Sequence, residues 1–272
     1  MGIFYRIEGK DVQPSYLLGT HHKLPYETIL QKTNLNEILP NLVGVAGEVN
    51  MLTVVQEAVK AAIYLAAPAG TFLPELLTTE EYQEVINFFQ SHNIEFRNDY
   101  NLLKPYFLID NIIAPSLSTS NPGPVTIDSF IQNYARDLNK QLKFLETVGQ
   151  QYEFLYDSID PHRQVKDLMK IIRNPEDYKH YQSQFDLFYS QFNSDAMLDL
   201  AMRYDNPDWV YNITARRNEI WLKEIPSILA QGPYLIAVGA LHLPGEKGLV
   251  NSFTDMGYEL TDLLPCNNPI NN

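Results

Sequence analysis

Two short segments of the chain each place a histidine three residues after a glycine that closes an apolar run. Gly19 precedes His22 in Tyr-Leu-Leu-Gly-Thr-His-His, and Gly239 precedes His242 in Tyr-Leu-Ile-Ala-Val-Gly-Ala-Leu-His. The two histidines are 220 residues apart in the sequence, so only folding could bring them together. Because each apolar run is typical of a buried strand, two imidazoles held at two strand ends could form one site.

Two glutamates follow strand-like runs in the same way. Glu48 comes after residues 42–46, and Glu146 comes after residues 142–145. In open α/β sheets ligands bind outside the carboxyl ends of the strands, so we expect these glutamates to converge with the two histidines. Such a set could bind zinc, manganese or another divalent ion. Without a metal, a histidine could be a general base with a glutamate as its orienting group or acid. Each glutamate could instead be a carboxylate at a helix N-terminus.

Three more polar residues are candidates for contact with a substrate. Arg217 and Asn218 lie at the start of a predicted helix, with Trp221 one turn later. An arginine there could hold a substrate carboxylate or stabilise an oxyanion, or it could be a surface cation. His21 precedes His22, and strand alternation predicts that the two side chains point in opposite directions.

Composition restricts the partners. The chain has 20 basic and 33 acidic residues and a formal charge of −13, which argues against a nucleic-acid partner because that would need a basic surface. No apolar run reaches the roughly 18 residues that indicate a membrane span. The single cysteine, Cys266, allows no intrachain disulfide. The first residues lack the pattern of a signal peptide, so we expect a cytoplasmic protein or one exported by another route. Oligomeric state has no readable signal.

The elements between these residues predict an α/β fold. The strand-like runs are short and bounded by Gly and Pro, as in parallel sheets, and Tyr258-Glu259-Leu260 is a possible last strand. Helical spacing predicts helices over residues 54–67, 82–89, 127–138, 152–159, 164–172, 178–204, 213–229 and 248–256. Thr78 and Glu81 form a capping-box pattern, and Pro226 is expected to kink or end its helix.

The predicted architecture is a central, mostly parallel sheet with flanking helices and a large helical insertion. The insertion covers roughly residues 51–127 and 161–211. We expect one domain over residues 1–264 and a flexible tail over residues 265–272. The segment 116–124 is the best candidate for an internal boundary, because it is rich in Ser, Thr, Asn, Pro and Gly. Since strand elements flank the helical middle on both sides, the single-domain interpretation is favoured.

The polar motifs together resemble the TraB/GumN family, which includes the Tiki metalloproteases and is distantly similar to the erythromycin-esterase and ChaN-like fold group. The resemblance covers about residues 4–263. Its most specific part is Val-Gly-Ala-Leu-His-Leu-Pro-Gly around His242. Other matching segments are Tyr16 to His22, Glu48, Leu103-Lys104-Pro105-Tyr106, Leu145-Glu146-Thr147 with Gln151, and Arg217-Asn218 with Trp221. The sequence departs from the family at Asn50, where an aspartate is frequent, and at His21, where an apolar residue is common.

The resemblance implies a metal-dependent hydrolase, with a peptidase as the leading hypothesis. His22, Glu48 and His242 would bind Mn²⁺, Co²⁺ or Zn²⁺, and Glu146 would be a further ligand or the general base. Arg217, Asn218 and His21 would contact the substrate, with Arg217 also stabilising the oxyanion. One alternative is a metal-free, esterase-like hydrolase with a histidine base. Another is a non-catalytic protein that binds a peptide or small ligand.

Overall fold

The computed structural model describes residues 1–9, 11–118 and 125–264. Within them the strands are β1 (Phe4–Glu8), β2 (Ser15–Thr20), β3 (Gly44–Gly47), β4 (Gln141–Phe144), β5 (Tyr234–Gly239) and β6 (Glu259–Asp262). They form one sheet in the order β4-β3-β5-β2-β1-β6. The first four strands of this order are mutually parallel, whereas β1 is antiparallel to both β2 and β6. The expected mixed, mostly parallel α/β architecture is confirmed.

The helices lie between the strands. Within the described residues they are α1 (Glu27–Leu30), α2 (Leu35–Ile38), α3 (Val54–Lys60), α4 (Leu73–Leu76), α5 (Thr79–Ser91), α6 (Pro105–Leu108), α7 (Ala114–Leu117), α8 (Ile127–Asp137), α9 (Val148–Tyr152), α10 (Pro161–Arg173), α11 (Pro175–Ser190), α12 (Ser194–Tyr204), α13 (Pro207–Ile213), α14 (Ala215–Trp221), α15 (Ile225–Leu229) and α16 (Leu249–Asp255). Short 3-10 turns cover Leu39–Asn41, Ala61–Tyr64, Asn98–Leu102 and Ala240–His242, and π-helical turns cover Ile109–Ile113 and Glu153–Asp157. Among these residues no helix combines the length and apolarity needed to cross a membrane.

Both faces of the sheet are buried. Leu235 and Ala237 of β5 pack with α8, α11 and α12, whereas Tyr234, Ile236 and Val238 pack with α14, α15 and α16. Successive side chains of a strand point to opposite faces, so a strand covered on both sides must be apolar at every position. That is why the strand-like runs of the sequence are continuous rather than alternating.

The helical insertion has its own apolar cluster. Buried residues from α4, α5, α6, α7 and α10 pack together, separate from the two clusters on the sheet. Buried Lys104, which precedes α6, donates from Nζ to the carbonyl of Tyr64 at 2.6 Å and forms an ion pair with Asp157. This lysine therefore connects the 3-10 turn Ala61–Tyr64 of the insertion to the π-helical turn Glu153–Asp157. The division into one domain stays a prediction, and the expected tail lies outside the described residues, as do residues 119–124 of the candidate boundary segment.

Local sequence signals account for several helix ends. The hydroxyl of Thr78 accepts from the Glu81 amide, and the Glu81 carboxylate accepts from the Thr78 amide, both at 3.2 Å. The predicted helix over residues 178–204 is two helices instead. Phe192 separates them with a φ of 58°, and Asn193 caps the second helix. The helix expected over 213–229 is likewise interrupted before Pro226, which lies in the first turn of α15.

Candidate active site

The carboxyl ends of four neighbouring parallel strands carry the polar residues singled out in the sequence. In sheet order, β4 precedes Glu146, β3 precedes Glu48, β5 precedes His242 and β2 precedes His22. The Nε2 atoms of His22 and His242 lie 3.9 and 3.7 Å from Glu48 Oε1. The sheet therefore brings these side chains to one edge.

A buried arginine joins two of these strand ends. Arg217 lies in α14, and 5% of its side chain is exposed. Its Nη2 donates to Glu48 Oε2 and to Glu146 Oε1, each at 2.5 Å, and its Nε donates to Glu146 Oε2 at 3.1 Å. Trp221 adds a hydrogen bond from its indole to Glu146 Oε2 at 3.3 Å. This cluster fixes α14 against the ends of β3 and β4.

Every N–H of Arg217 has an acceptor inside the protein. The two remaining hydrogens, on Nη1, meet the carbonyl of Ile213 at 2.9 Å and Nε2 of His242 at 3.0 Å. A guanidinium has about five N–H donors in all, so none is left for a substrate in this arrangement. The geometry favours Arg217 as a positioning residue rather than a substrate clamp.

The two glutamates respond differently to the shared guanidinium. Burial raises the pKa of Glu48, but the positive charge of Arg217, together with the adjacent histidines and the hydrogen bond from the Gly239 amide, outweighs burial and holds that pKa well below the usual range. For Glu146 burial prevails over Arg217, and the pKa is raised. Glu48 also accepts from the Gly239 amide at 2.6 Å and from Gln151 Nε2 at 3.1 Å. Glu48 is therefore the ionised partner of Arg217.

His242 is neutral and fully engaged. The Asn218 side-chain amide donates to the carbonyls of His242 and Lys247, both at 2.9 Å, so its Oδ1 must accept from His242 Nδ1 at 2.7 Å. That proton places the lone pair on Nε2, where it accepts from Arg217. Burial and the adjacent guanidinium lower the pKa of His242 to about 3. Asn218, 1% exposed, thus sets the tautomer of this histidine.

His22 has the opposite environment. Its side chain is 59% exposed, and Nδ1 lies 2.9 Å from Asp128 Oδ2. The other oxygen of Asp128 accepts from the Thr20 hydroxyl at 2.8 Å. Burial by the surrounding walls lowers the pKa of His22, but the carboxylates of Asp128 and Glu48 outweigh it and raise that pKa to about 9. His22 therefore presents Nε2 to open space while its other nitrogen is held.

His21 points elsewhere, as the alternation predicts. It is 7% exposed and lies between the rings of Phe185 and Tyr189 of α11, with Nε2 3.0 Å from Asp186 Oδ1. Its Nδ1 accepts from the Lys23 amide at 3.3 Å. His21 joins the end of β2 to the helical insertion, and the packing favours a structural contact over contact with a substrate.

The glycines of the two motifs permit close approach rather than a sharp turn. Gly239 has φ −53° and ψ 139°, which any residue can adopt. A Cβ there would lie 2.9 Å from His22 Nε2 and 3.3 Å from Glu48 Oε1. A Cβ at Gly19 would lie 2.9 Å from the Cα of Ala240. Glycine therefore lets the two motifs and the glutamate pack against one another.

Sequence reasoning missed Asp128. It lies in the first turn of α8, where a carboxylate is an ordinary partner of the helix dipole, so its type alone gives no signal. A sequence signal does exist on the apolar face of α8. Asp128 and Gln132 are one turn apart, and both are buried beside Ile127 and Ile131. Polar residues on the apolar face of an amphipathic helix are expensive to bury and suggest a specific partner.

The donor set implied by the resemblance does not fit a metal ion in this arrangement. The separations of 3.9 and 3.7 Å around Glu48 Oε1 are near those between zinc ligands. However, the lone pair of His242 Nε2 already accepts from Arg217, whose permanent positive charge also covers Glu48 Oε2. Only His22 Nε2 and Glu48 Oε1 remain, and protein sites for zinc use at least about three ligands. Across the part of the chain that the structure describes, no group of three His, Cys, Asp or Glu residues has the geometry to hold a metal.

A cavity of about 540 Å³ opens over this site. At its base lie the strand-end residues, including His22, Glu48 and His242, and its walls continue into the helical insertion through α10, α11 and the residues after α12. Its volume is that of a typical pocket for a small ligand or part of a peptide. The strand ends and the insertion therefore line one continuous space.

Comparison with known proteins identifies the family. A search of curated proteins found no match. The TraB/PrgY/gumN family matches residues 3–262, which is almost the whole chain and includes each strand-end residue described above. The chain therefore belongs to the TraB/PrgY/gumN family.

Proposed function

We propose that this chain is a hydrolase of ester or amide bonds, with peptides as the expected substrates, in which His22 transfers the protons of the reaction. One observation carries the proposal. The side chain of His22 is 59% exposed to the cavity, whereas those of Glu48, Arg217 and His242 are 4–6% exposed. A group that exchanges protons with water and substrate must be within their reach.

The pair of His22 and Asp128 has the geometry for this transfer. Asp128 holds the Nδ1 proton. Because the His22 pKa is about 9, the neutral ring that offers its Nε2 lone pair to the cavity is the minor form near pH 7, and the rate of hydrolysis is expected to rise as pH approaches 9. A water molecule there loses a proton to Nε2 as its oxygen bonds to the substrate carbonyl carbon, and the carbonyl oxygen takes the negative charge. When the C–O or C–N bond breaks, Nε2–H returns the proton to the leaving group. Asp128 remains ionised and stabilises the imidazolium formed between these steps.

The buried cluster supports this pair from behind. Glu48 Oε1, 3.9 Å from His22 Nε2, adds a second negative charge that favours the imidazolium. Both carboxylate oxygens of Glu146 already accept hydrogen bonds from Arg217, and one of them also accepts from Trp221. We therefore assign Glu146 and Arg217 to positioning the strand ends, in place of the general-base and oxyanion roles expected from the sequence.

A metal-dependent peptidase is the second candidate. The observation that favours it is the placement of two imidazole Nε2 atoms within 3.9 Å of one carboxylate oxygen. It requires Arg217 to release His242, since the guanidinium uses the lone pair that a metal would need.

The test is hydrolysis by purified wild-type chain of short nitrophenyl esters and of a mixed peptide library. Each reaction is run with a chelator and, separately, with added Mn²⁺, Co²⁺ or Zn²⁺. We expect chelator-insensitive hydrolysis that falls at least about 100-fold in His22→Gln, since a positioned acid–base group contributes about 10²–10⁴-fold. The matched control is His162→Gln, which changes an exposed histidine of α10.

Other outcomes separate the alternatives. Activity lost on chelation and restored by one ion would favour the metal-dependent candidate. Full activity in His22→Gln would overturn the assignment of the proton-transferring residue. No hydrolysis of any substrate under any condition, together with peptide binding, would favour the non-catalytic binding protein.

A further inference from the structure

The part of the cavity inside the helical insertion has a chemistry of its own. We call it the outer chamber and define it by Asp110, Tyr178, Tyr181, Tyr204 and Asp205, all of which line the cavity. The rings of Tyr181 and Tyr204 are stacked with centroids 4.2 Å apart, and the Tyr178 ring lies 5.9 Å from each. Three tyrosines thus form one aromatic wall beside two carboxylates.

The two carboxylates form no close ion pair within the described residues. Asp205 Oδ2 accepts from the Tyr181 hydroxyl at 2.6 Å, but among the described residues no ion pair links Asp110 or Asp205 to a lysine or arginine. Burial raises the pKa of Asp110 to about 7 and that of Asp205 to about 6. The charge of Asp205 adds to the rise in the pKa of Asp110, and the charge of Asp167 adds to the rise in the pKa of Asp205. Lys23 acts on both carboxylates and Lys170 acts on Asp205, but burial outweighs these lysines at both groups. A ligand cation in direct contact would therefore offset a burial cost that the two lysines leave.

The aromatic wall already accommodates an ammonium. Lys170 Nζ, from α10, lies 3.6 Å from the centroid of the Tyr204 ring and donates to the Tyr204 carbonyl at 2.6 Å. A cation over an aromatic face is attracted by the negative potential of that face. Lys170 is held against Tyr204 and lowers the pKa of Asp205 by its charge, but it forms no ion pair with Asp205 or Asp110 in the described part of the chain. Lys23, the other cation that acts on Asp110 and Asp205, is exposed.

We propose that the outer chamber binds an ammonium or guanidinium group of the substrate, while His22 acts on a bond at the base of the same cavity. The substrate class is then a peptide or related amide or ester that carries a positive charge. The reaction at His22 rests on the proposed function, whereas binding in the chamber does not. Two sources share the required chemistry: a lysine or arginine side chain, and the α-ammonium of a peptide N-terminus.

Binding is measured by isothermal titration calorimetry on the full chain carrying His22→Gln, so that turnover cannot consume the ligand. The probes are three tripeptide amides. The first is acetylated with a central lysine, the second is acetylated with a central norleucine, and the third has a free N-terminus with a central norleucine. We expect one cationic peptide to bind about tenfold or more tightly than the acetylated norleucine peptide, as is typical of a charge-assisted contact. The arm that gains affinity identifies the source of the charge.

Isosteric variants locate the contact. Asp110→Asn and Asp205→Asn should each reduce the preference for the cationic peptide to within about threefold. Asp255→Asn, which changes an exposed carboxylate at the end of α16, should leave it unchanged. Thermal unfolding checks that each variant is folded. Equal binding of all three peptides, no binding of any, or a preference that survives both chamber variants would overturn the proposal. Binding of a cationic peptide by a chain that hydrolyses nothing would overturn the proposed hydrolase and leave the chamber intact.

Discussion

Two histidines with the same spacing from a glycine have opposite chemistry in this protein. His22 faces the cavity with Asp128 behind it, and its pKa is raised to about 9. His242 is buried against Arg217, and its pKa is lowered to about 3. The neighbour of each ring decides the difference, because a carboxylate stabilises the imidazolium whereas a guanidinium opposes it. Only His22 therefore combines access to the cavity with a partner suited to proton transfer.

Arg217→Met should strongly destabilise the fold. The substitution leaves Glu48 and Glu146 buried without a counter-charge, and breaking a buried ion pair on one side costs about 3–5 kcal/mol. The measurement is urea denaturation, read as the free energy of unfolding. Arg216→Met is the matched control, because its side chain is on the exposed side of the same helix, and its cost should stay below about 1 kcal/mol. Equal losses in both variants would contradict the role assigned to Arg217.

Asp128→Asn should lower kcat with little change in KM. The amide keeps the shape of the carboxylate, but it no longer carries the charge that stabilises the His22 imidazolium. In a comparable His–Asp pair the loss reaches about 10⁴-fold, and we expect at least about 100-fold here. Asp137→Asn, at the exposed end of α8, is the control. Imidazole NMR resonances give a second readout, because the His22 pKa should fall in the Asp128 variant alone.

The residues that could be predicted from the sequence are those that follow buried strands. His22, Glu48, Glu146 and His242 were recognisable because a continuous apolar run marks the strand and the polar residue marks its end. Asp128 was not, since it reaches the site from a helix 106 residues away from His22. The closed hydrogen bonding of Arg217 could not be predicted either, because it depends on carbonyl and imidazole positions set by the tertiary structure.

At the scale of elements, the end of β5, which lies between β3 and β2 in the sheet, requires a residue without a side chain. Gly239→Ala should reduce activity without much loss of stability. The backbone angles suit alanine, but the added Cβ would meet His22 Nε2 at 2.9 Å and displace the ring. A displacement of about 1 Å can cost about 100-fold in rate.

Gly70→Ala is the control for Gly239→Ala, because it should reduce stability and leave activity unchanged. Gly70 has a φ of 87°, and a Cβ there would meet nothing within 4 Å. Alanine in this conformation costs about 1–2 kcal/mol of stability, and activity should not change because Gly70 does not line the cavity over His22. Kinetics and thermal unfolding should therefore show a loss of activity in Gly239→Ala and a loss of stability in Gly70→Ala. A loss of both activity and stability in Gly239→Ala would contradict the steric explanation.

The elements that sequence reasoning placed wrongly have two different causes. β1 was missed because Phe4–Glu8 alternates with charged residues, and its strand character depends on antiparallel pairing with β2 and β6. The long helix over residues 178–204 was broken at Phe192 by a left-handed conformation that a phenylalanine rarely adopts. β1 has no local signal, since distant contacts supply its stabilising energy. The break before α12 does have one, because Asn193 is a preferred N-cap residue and caps that helix.

The turn Ile109–Ile113 carries a carboxylate that should weaken the insertion as pH rises. The unfolded chain has an Asp110 pKa near the ordinary 3.8, whereas burial, aided by Asp205 and opposed by Lys23, raises it to about 7 in the folded chain. Folding therefore takes up a proton between these values, and this group lowers the free energy of unfolding as pH rises from about 4 to about 7. Asp110→Asn should raise Tm by a few degrees at pH 8 and hardly at all near pH 4. An equal shift at both pH values would contradict the assignment, and Asp255→Asn is the control.

At the scale of the whole molecule, the proposed function assigns the reacting groups to the sheet and most of the substrate contacts to the insertion. The four parallel strands fix the reacting groups through buried hydrogen bonds, whereas the insertion lines the rest of the cavity with aromatic and acidic side chains. Rigid strand ends suit proton transfer because the groups must keep their geometry. Helices that pack as a separate cluster can vary without disturbing that edge, so substrate preference is expected to reside there.

The net charge of −13 predicts how a cationic peptide reaches the cavity. A strongly negative protein attracts a cation over a distance set by salt, about 30 Å at 0.01 M but only about 4 Å near 0.5 M. The association rate constant, measured by stopped-flow with a labelled lysine peptide, should therefore fall at least about tenfold over this range. Asp110→Asn removes one charge of many, so its association rate and salt dependence should be close to those of the wild type. Its dissociation should be faster, because the lost contact acts only in the bound complex. An association rate that does not depend on salt would contradict the long-range attraction. An effect of Asp110→Asn on association alone would contradict the local contact in the outer chamber.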